Sequence, residues 1–201
     1  MLEAYTVTAS QDGISGEYRQ LLHWTLKANF AHPILVQALA IPLAIMLGTG
    51  FSLVAIYVGK LPGTFSVSLV HAAAIIPGVF GTIILHECVH GLTMARFGAR
   101  PQYGVLWKQL MFYATSPGYA YRRNSYILIA LAPLLVLSGL AILGMLLLQG
   151  TQWIWLLIPL ATLNGGGSFG DTWLVFTVLR YPATSYVVDE RDGLRVLMRP
   201  A

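Results

Sequence analysis

The stretch Ile83-Ile84-Leu85-His86-Glu87-Cys88-Val89-His90-Gly91-Leu92 decides how the chain is read. It holds the pattern HExxH inside an apolar run, Val67 to Phe97, that is long enough to cross a bilayer. On a helix, residues i and i+4 stand one turn apart on one face. His86 and His90 can therefore grip one zinc ion while Glu87, beside them, reaches the water to be activated. Polar side chains of this kind cost roughly 2.5–3.5 kcal/mol each at the bilayer centre, so three in ligand spacing at that depth imply a chemical task. The competing reading, three mutually satisfied polar residues in a bundle core, does not call for that spacing. Cys88, two residues past His86, points away from the ligand face and reads as packing; as the single cysteine it excludes an intramolecular disulfide.

Outward from this helix, the composition fits a polytopic membrane protein. Hydrophobic residues make up 56 % of the 201 and charged residues 10 %, with a mean hydropathy of +0.68. Four apolar runs reach span length: Ala31 to Gly59, Val67 to Phe97, Ser125 to Gln149 and Gln152 to Arg180. They contain Pro42, Pro77, Pro133 and Pro159, so tilted or kinked helices are expected. The expected fold is an all-α polytopic membrane protein of about four transmembrane helices, with short β-hairpins in the cytoplasmic loop and the C-terminal tail. Its expected divisions are an N-terminal cytoplasmic or interfacial segment (1–30), a transmembrane metalloprotease domain (31–181) and a cytoplasmic tail (182–201). The first 30 residues lack a basic region followed by an apolar core, so no cleaved signal peptide is expected.

Lysine and arginine set the orientation. Arg19 and Lys27 precede the first span; Arg96, Arg100, Lys108, Arg122 and Arg123 lie between spans two and three; Arg180, Arg191, Arg195 and Arg199 follow span four. The other two loops hold only Lys60. Both termini are therefore expected in the cytoplasm of a multi-pass protein, in a prokaryotic plasma membrane. The net charge of +4 then marks a basic face against anionic lipid, and no nucleic-acid motif accompanies it.

Counting acids narrows the site. Of eight Asp and Glu residues, six lie near the termini, leaving Glu87 and Asp171 for the membrane. By helix rise, His90 and His86 lie roughly 9 and 15 Å from the basic end at Arg96, and Asp171 roughly 14 Å from Arg180. A catalytic zinc takes three protein ligands and keeps a fourth position open, which makes Asp171 the candidate third ligand. Before it runs Asn164-Gly165-Gly166-Gly167-Ser168-Phe169-Gly170, whose glycines weaken a helix or allow close helix packing. Asn164 is a candidate hydrogen-bond donor to substrate, and Ser168 a candidate partner of the Asp171 carboxylate.

Leu85 to Gly91 and Asn164 to Asp171 resemble the corresponding segments of the site-2-protease-like intramembrane metalloproteases. More closely, the chain is similar to the zincin peptidases, small membrane proteins with one HExxH. The resemblance covers roughly residues 67 to 180. In the larger family an HExxH helix and a later helix with an Asn-to-Asp segment build the zinc site, which implies His86, His90 and Asp171 as ligands and Glu87 as general base. The chain departs from the family's Asn, Pro and Asp-Gly pattern: this segment is glycine-rich, lacks proline, and Asp171 precedes Thr172.

The implied function is intramembrane hydrolysis of peptide bonds in a membrane-embedded protein or peptide, with Zn2+ as cofactor and the bilayer as partner. Glu87 takes the water proton and hands it to the leaving amine. The substrate helix has to unwind first, because a regular helix hides its peptide bonds. The alternating segment after Pro101 reads on sequence alone more as an interfacial loop held by Tyr, Trp and Lys anchors than as a surface hairpin, and the resemblance implies that such a hairpin pairs with the unwound substrate by strand addition. Ser116 to Tyr119 reads as a turn, and Ser185 to Arg199 as a hairpin around Asp192-Gly193. Leu21, Leu22, Trp24 and Leu26 suggest an interfacial helix beside His23 and His32, neither of which is expected to bind metal. His71 lies roughly 22 Å along the helix from His86, too far for a ligand. The alternative functions are a membrane metal transporter or sensor, which requires more polar stations than these spans offer, and a proteolytically silent binding module, which has no use for Glu87.

Overall fold

The computed structural model describes residues 4–199, apart from 14, 26, 27, 29–32, 67, 108–110 and 192. Lys27, His32, Lys108 and Asp192 therefore lie outside the described residues. The chain is mixed α/β, 56 % helical with a nearly closed six-stranded sheet, and this corrects the all-α expectation. Eight strands and five helices carry the description. They are β1 (Ala4–Val7), β2 (Ala9–Ser10), β3 (Gly16–Thr25), α1 (Pro33–Tyr57), α2 (Leu69–Arg96), β4 (Gln102–Leu106), β5 (Met111–Thr115), β6 (Tyr119–Arg122), α3 (Arg123–Leu147), α4 (Ile154–Gly167), α5 (Phe169–Leu179), β7 (Tyr186–Glu190) and β8 (Gly193–Met198).

Among the described residues three helices are long and apolar enough to cross a membrane: Ala38–Tyr57 within α1, and the whole of α2 and α3. Each carries an internal proline: Pro42, Pro77 and Pro133 respectively. The fourth expected span is not one helix. It ends at Gly167 and restarts at Phe169, giving helices of 14 and 11 residues. The three consecutive glycines supply the physical reason, since each weakens a helix by roughly 1 kcal/mol relative to alanine.

The chain divides into two compact units. One comprises residues 1–36, 87–132 and 170–201; the other comprises 37–86 and 133–169. In the first, the six strands run in the order β1-β3-β8-β7-β6-β2, and every pairing is antiparallel except β2 with β6. The two outermost strands, β1 and β2, are separated by Thr8 alone, so one piece of chain serves both edges and rolls the sheet towards a barrel. Thr8 is held there by its hydroxyl, which donates to the Gly118 carbonyl at 3.0 Å. The region read as an interfacial helix is β3, with Tyr18 and Trp24 buried. Trp24 belongs to a core cluster and Leu21 and Leu22 pack against it, while Leu22 pairs with Val196 and Trp24 with Leu194. His23 is bonded to Glu190 at 3.1 Å.

Both expected hairpins are present. β4 pairs with β5 from Gln102 opposite Thr115 to Leu106 opposite Met111, and β7 pairs with β8 from Tyr186 opposite Leu197 to Glu190 opposite Gly193. Ser116 to Tyr119 forms a turn with a 3.1 Å bond from the Tyr119 N–H to the Ser116 carbonyl, and Gly118 takes φ +74°. The sheet buries side chains on two faces. Tyr186, Val188 and Leu197 gather with Val7, Tyr18 and Ala120, while Val187, Leu194 and Val196 pack with Met94 of α2, Ile129 of α3 and Val178 of α5.

In the second unit Phe51, Ala55, Met145, Ile154 and Ala161 form the core. Gly165 lies against Leu47 and Gly166 against Ala44, so the glycine run also serves close packing of α4 on α1.

A carboxylate sits in the first unit's core. Asp189 is buried on β7; it accepts from the Tyr126 hydroxyl at 3.1 Å, and its carbonyl accepts from Thr115. Burial pushes its pKa from 3.8 up to about 7. The folded protein therefore holds this proton where the unfolded chain releases it. The stabilisation is complete below pH 3.8 and is lost as pH rises through about 7. Asp189→Asn keeps an acceptor for Tyr126 but cannot ionise. Thermal melts of detergent-purified protein at pH 5 and pH 8 should show the variant gaining on wild type at the higher pH; equal differences at both would show that Asp189 does not titrate in this window.

Candidate metal centre

α2 carries His86 and His90, and α5 carries Asp171. α2 fixes His86 and His90 one turn apart on a continuous helix. His90 is buried, and its Nε2 lies 3.3 Å from Oδ1 of Asp171. Asp171 stands in the first turn of α5, where the helix dipole favours a negative charge. The helix break at Ser168 creates that position, because an unbroken helix would have left Asp171 in mid-span. His86, His90 and Asp171 each offer one ligand atom, and these atoms lie within 4.8 Å of one another.

Each ring is held through one nitrogen. His90 Nδ1 lies 3.0 Å from the carbonyl oxygen of Ile129, which can only accept, so Nδ1 carries the proton and Nε2 is the nitrogen turned to Asp171. The Ile129 carbonyl is available because its ordinary helical partner would be the N–H of residue 133, and residue 133 is proline. A buried carbonyl left without a donor costs roughly 1–3 kcal/mol, and His90 removes that cost.

His86 is held in a parallel manner. Its Nδ1 lies 3.0 Å from Oδ1 of the buried Asn164, whose Nδ2 donates to the Pro133 carbonyl at 3.3 Å. That second bond fixes which end of the amide is oxygen, and hence that His86 also donates from Nδ1. Two carbonyls one turn apart on α3 thus brace two histidines one turn apart on α2, one directly and one through Asn164. Ser168 donates its hydroxyl to the Asn164 carbonyl at 2.9 Å, tying the end of α4 together.

The donor set fits zinc. Two neutral imidazoles and a carboxylate are its usual nitrogen and oxygen ligands, and donors around a tetrahedral zinc stand about 3.3–3.5 Å apart, the separation of His90 Nε2 and Asp171 Oδ1. Glu87 follows His86 directly on α2, beside the ligand face. His71 is bonded to Ser68 at 2.6 Å and packs on Trp153, and it takes no part in the centre.

A family model described as "Putative zincin peptidase" matches residues 79–186, more than half of the chain. The chain belongs to this family. The matched segment includes the HExxH helix, the β4–β5 hairpin, α3, α4 and α5 with Asp171, so the whole ligand set lies inside the family's own region. Membership supports a metallopeptidase function with zinc as its metal. No curated protein and no solved structure gives a significant match to the chain.

Reading the sequence alone misses the two ring anchors. Asn164 is noticed for a bond to substrate, whereas the structure commits its amide to His86 and Pro133. Ile129 goes unnoticed; the available signal is a proline four residues after it within an apolar helix.

Both anchors are testable. Asn164→Ala should weaken zinc binding about 10–100-fold, the usual effect of losing a partner that orients a ligand. Pro133→Ala returns an N–H to the Ile129 carbonyl, so it should weaken zinc while raising the melting temperature of the metal-free protein. Competition with a chromophoric chelator reads the first effect and thermal melts the second. Wild-type zinc affinity in both variants would mean that the rings are held in some other way.

Proposed function

We propose that the protein is a site-2-protease-like intramembrane zinc metallopeptidase that hydrolyses peptide bonds of membrane-embedded substrates. The observation that carries this reading is the convergence of two Nδ1-anchored imidazoles and Asp171 on a helix that is itself apolar enough to span a bilayer. Much of α2 suits a lipid environment: Leu69, Val70, Ile76, Phe80 and Leu92 are exposed. The basic residues flanking the helices favour a centre that opens towards the cytoplasm, with both termini on that side.

His86, His90 and Asp171 would hold the zinc, which when bound supplies a Lewis acid that polarises the scissile carbonyl and lowers the pKa of water towards about 7. Glu87 removes the proton from the attacking water and later delivers it to the leaving amine as the peptide C–N bond breaks. Asn164 and the Ile129 carbonyl hold the two rings through their Nδ1 atoms. The substrate segment has to be extended at the bond to be cut. β4 offers a means of holding it: among the described residues it pairs only with β5, so its other edge can accept a strand.

Zinc content and cleavage of detergent-purified protein test this reading together. Wild type should carry about one zinc per chain, His86→Ala should lose it and Asp171→Asn should bind it more weakly. Glu87→Gln should keep zinc and lose cleavage by at least about 10²-fold. Normal cleavage by Glu87→Gln would sink the mechanism, and a wild type that refuses zinc on reconstitution would remove its basis.

A further inference from the structure

Glu87 has a neighbour that the mechanism above does not use. Residues 87 and 91 stand at i and i+4 on α2, so they share a face one turn apart. Residue 91 is a buried glycine, and the space its Cβ would fill is taken by the phenol hydroxyl of Tyr103, with the ring carbon that bears it close behind. Any other residue at 91 would push the hydroxyl away. The hydroxyl therefore rests on the helix surface one turn beyond Glu87.

Tyr103 reaches this place from β4, the strand whose unpaired edge faces incoming peptide in the reading above. The side chain is 54 % exposed, so a bound segment can touch it. No hydrogen-bond partner for the hydroxyl is found among the described residues, in contrast to Tyr119, Tyr121, Tyr126 and Tyr186, which bond to Phe97, Ser116, Asp189 and Asp12. Burial raises its pKa. A donor on a strand edge, beside the general base and with no bond to another described residue, is suited to an oxygen that gains negative charge.

We propose that Tyr103 is a catalytic residue, its hydroxyl donating a hydrogen bond to the carbonyl oxygen of the scissile peptide as that oxygen becomes negatively charged. Gly91 is the positioning residue that admits it. The proposal rests on the peptidase reading and adds a donor that exists independently of the metal. The phenol keeps its proton throughout; the proton given to the leaving amine comes from Glu87.

The test uses zinc-loaded protein in lipid vesicles. The substrate is a fluorescence-quenched apolar peptide of about twenty residues with a central Gly-Gly pair, and a second probe is its phosphinic analogue, which mimics the tetrahedral carbon. Tyr103→Phe should retain zinc and KM within about twofold, lose about 10²–10³ in kcat, and bind the phosphinic analogue at least about tenfold more weakly. Gly91→Ala should retain zinc and also lose kcat, and the double variant should be no slower than the worse single one. Wild-type kcat in Tyr103→Phe, with cleavage still dependent on Glu87, would overturn the role of Tyr103 and leave the peptidase reading standing. Loss of zinc alongside activity in Tyr103→Phe would make the tyrosine structural and likewise overturn its role. Zinc-loaded wild type that neither cleaves the peptide nor binds its analogue would overturn the peptidase reading and this proposal with it.

Discussion

Everything at the metal centre depends on a hydrogen bond that α3 cannot make for itself. Pro133 has no N–H, so the carbonyl of Ile129, one turn earlier, lacks its helical donor. In a buried position that vacancy has to be filled, and the Nδ1 proton of His90 fills it. The arrangement fixes the tautomer of a ligand as a by-product of satisfying the backbone. Asn164 repeats the logic one turn away, linking His86 to the carbonyl of the same proline. The histidine spacing on α2 is thereby matched to the carbonyl spacing on α3, and helix pitch sets both.

The position of Asp171, the third candidate ligand, depends on an opposite device. Where Pro133 disturbs a helix that continues, the run Gly165-Gly166-Gly167-Ser168 lets a helix stop. Ser168 closes the end of α4 through the Asn164 carbonyl, and α5 begins at the next residue. Asp171 then falls in a first helical turn, where the helix dipole favours its charge. One continuous span would not have offered the carboxylate that benefit. The same glycines fit closely against Leu47 and Ala44, so interruption and packing are two uses of one sequence feature.

The local part of this was legible in the sequence. HExxH spacing places two ligands without knowledge of the fold, and the scarcity of acids inside the apolar runs singles out Asp171. The β4–β5 and β7–β8 hairpins show in their alternation and turn residues because their partners are close in sequence. What could not be read locally was the sheet. β3 pairs with β8, with Arg19 opposite Met198 and Thr25 opposite Gly193, and nothing in Leu21-Leu22-His23-Trp24 announces a partner so far along the chain. Four apolar or aromatic residues before a span read as an interfacial helix, and a register shift between Gln20 and Leu22 breaks the strand alternation, so that Tyr18 and Trp24, an even number of residues apart, pack in different clusters. The broken fourth span was half legible, since the glycines were visible but the span length outweighed them.

The closure of the sheet through Thr8 has a consequence in time. Both edges belong to the first ten residues, while β7 and β8, which fill the middle, are the last strands to be made. At 5–20 residues per second, Thr25 leaves the ribosome roughly ten to thirty seconds before its partner Gly193. For that interval the early strands wait without the neighbours that complete them, while the helices between are being made. The unit that carries Glu87, His90 and Asp171 is finished only when the tail arrives, so a chain interrupted in synthesis has the motif but lacks the sheet against which its helices pack.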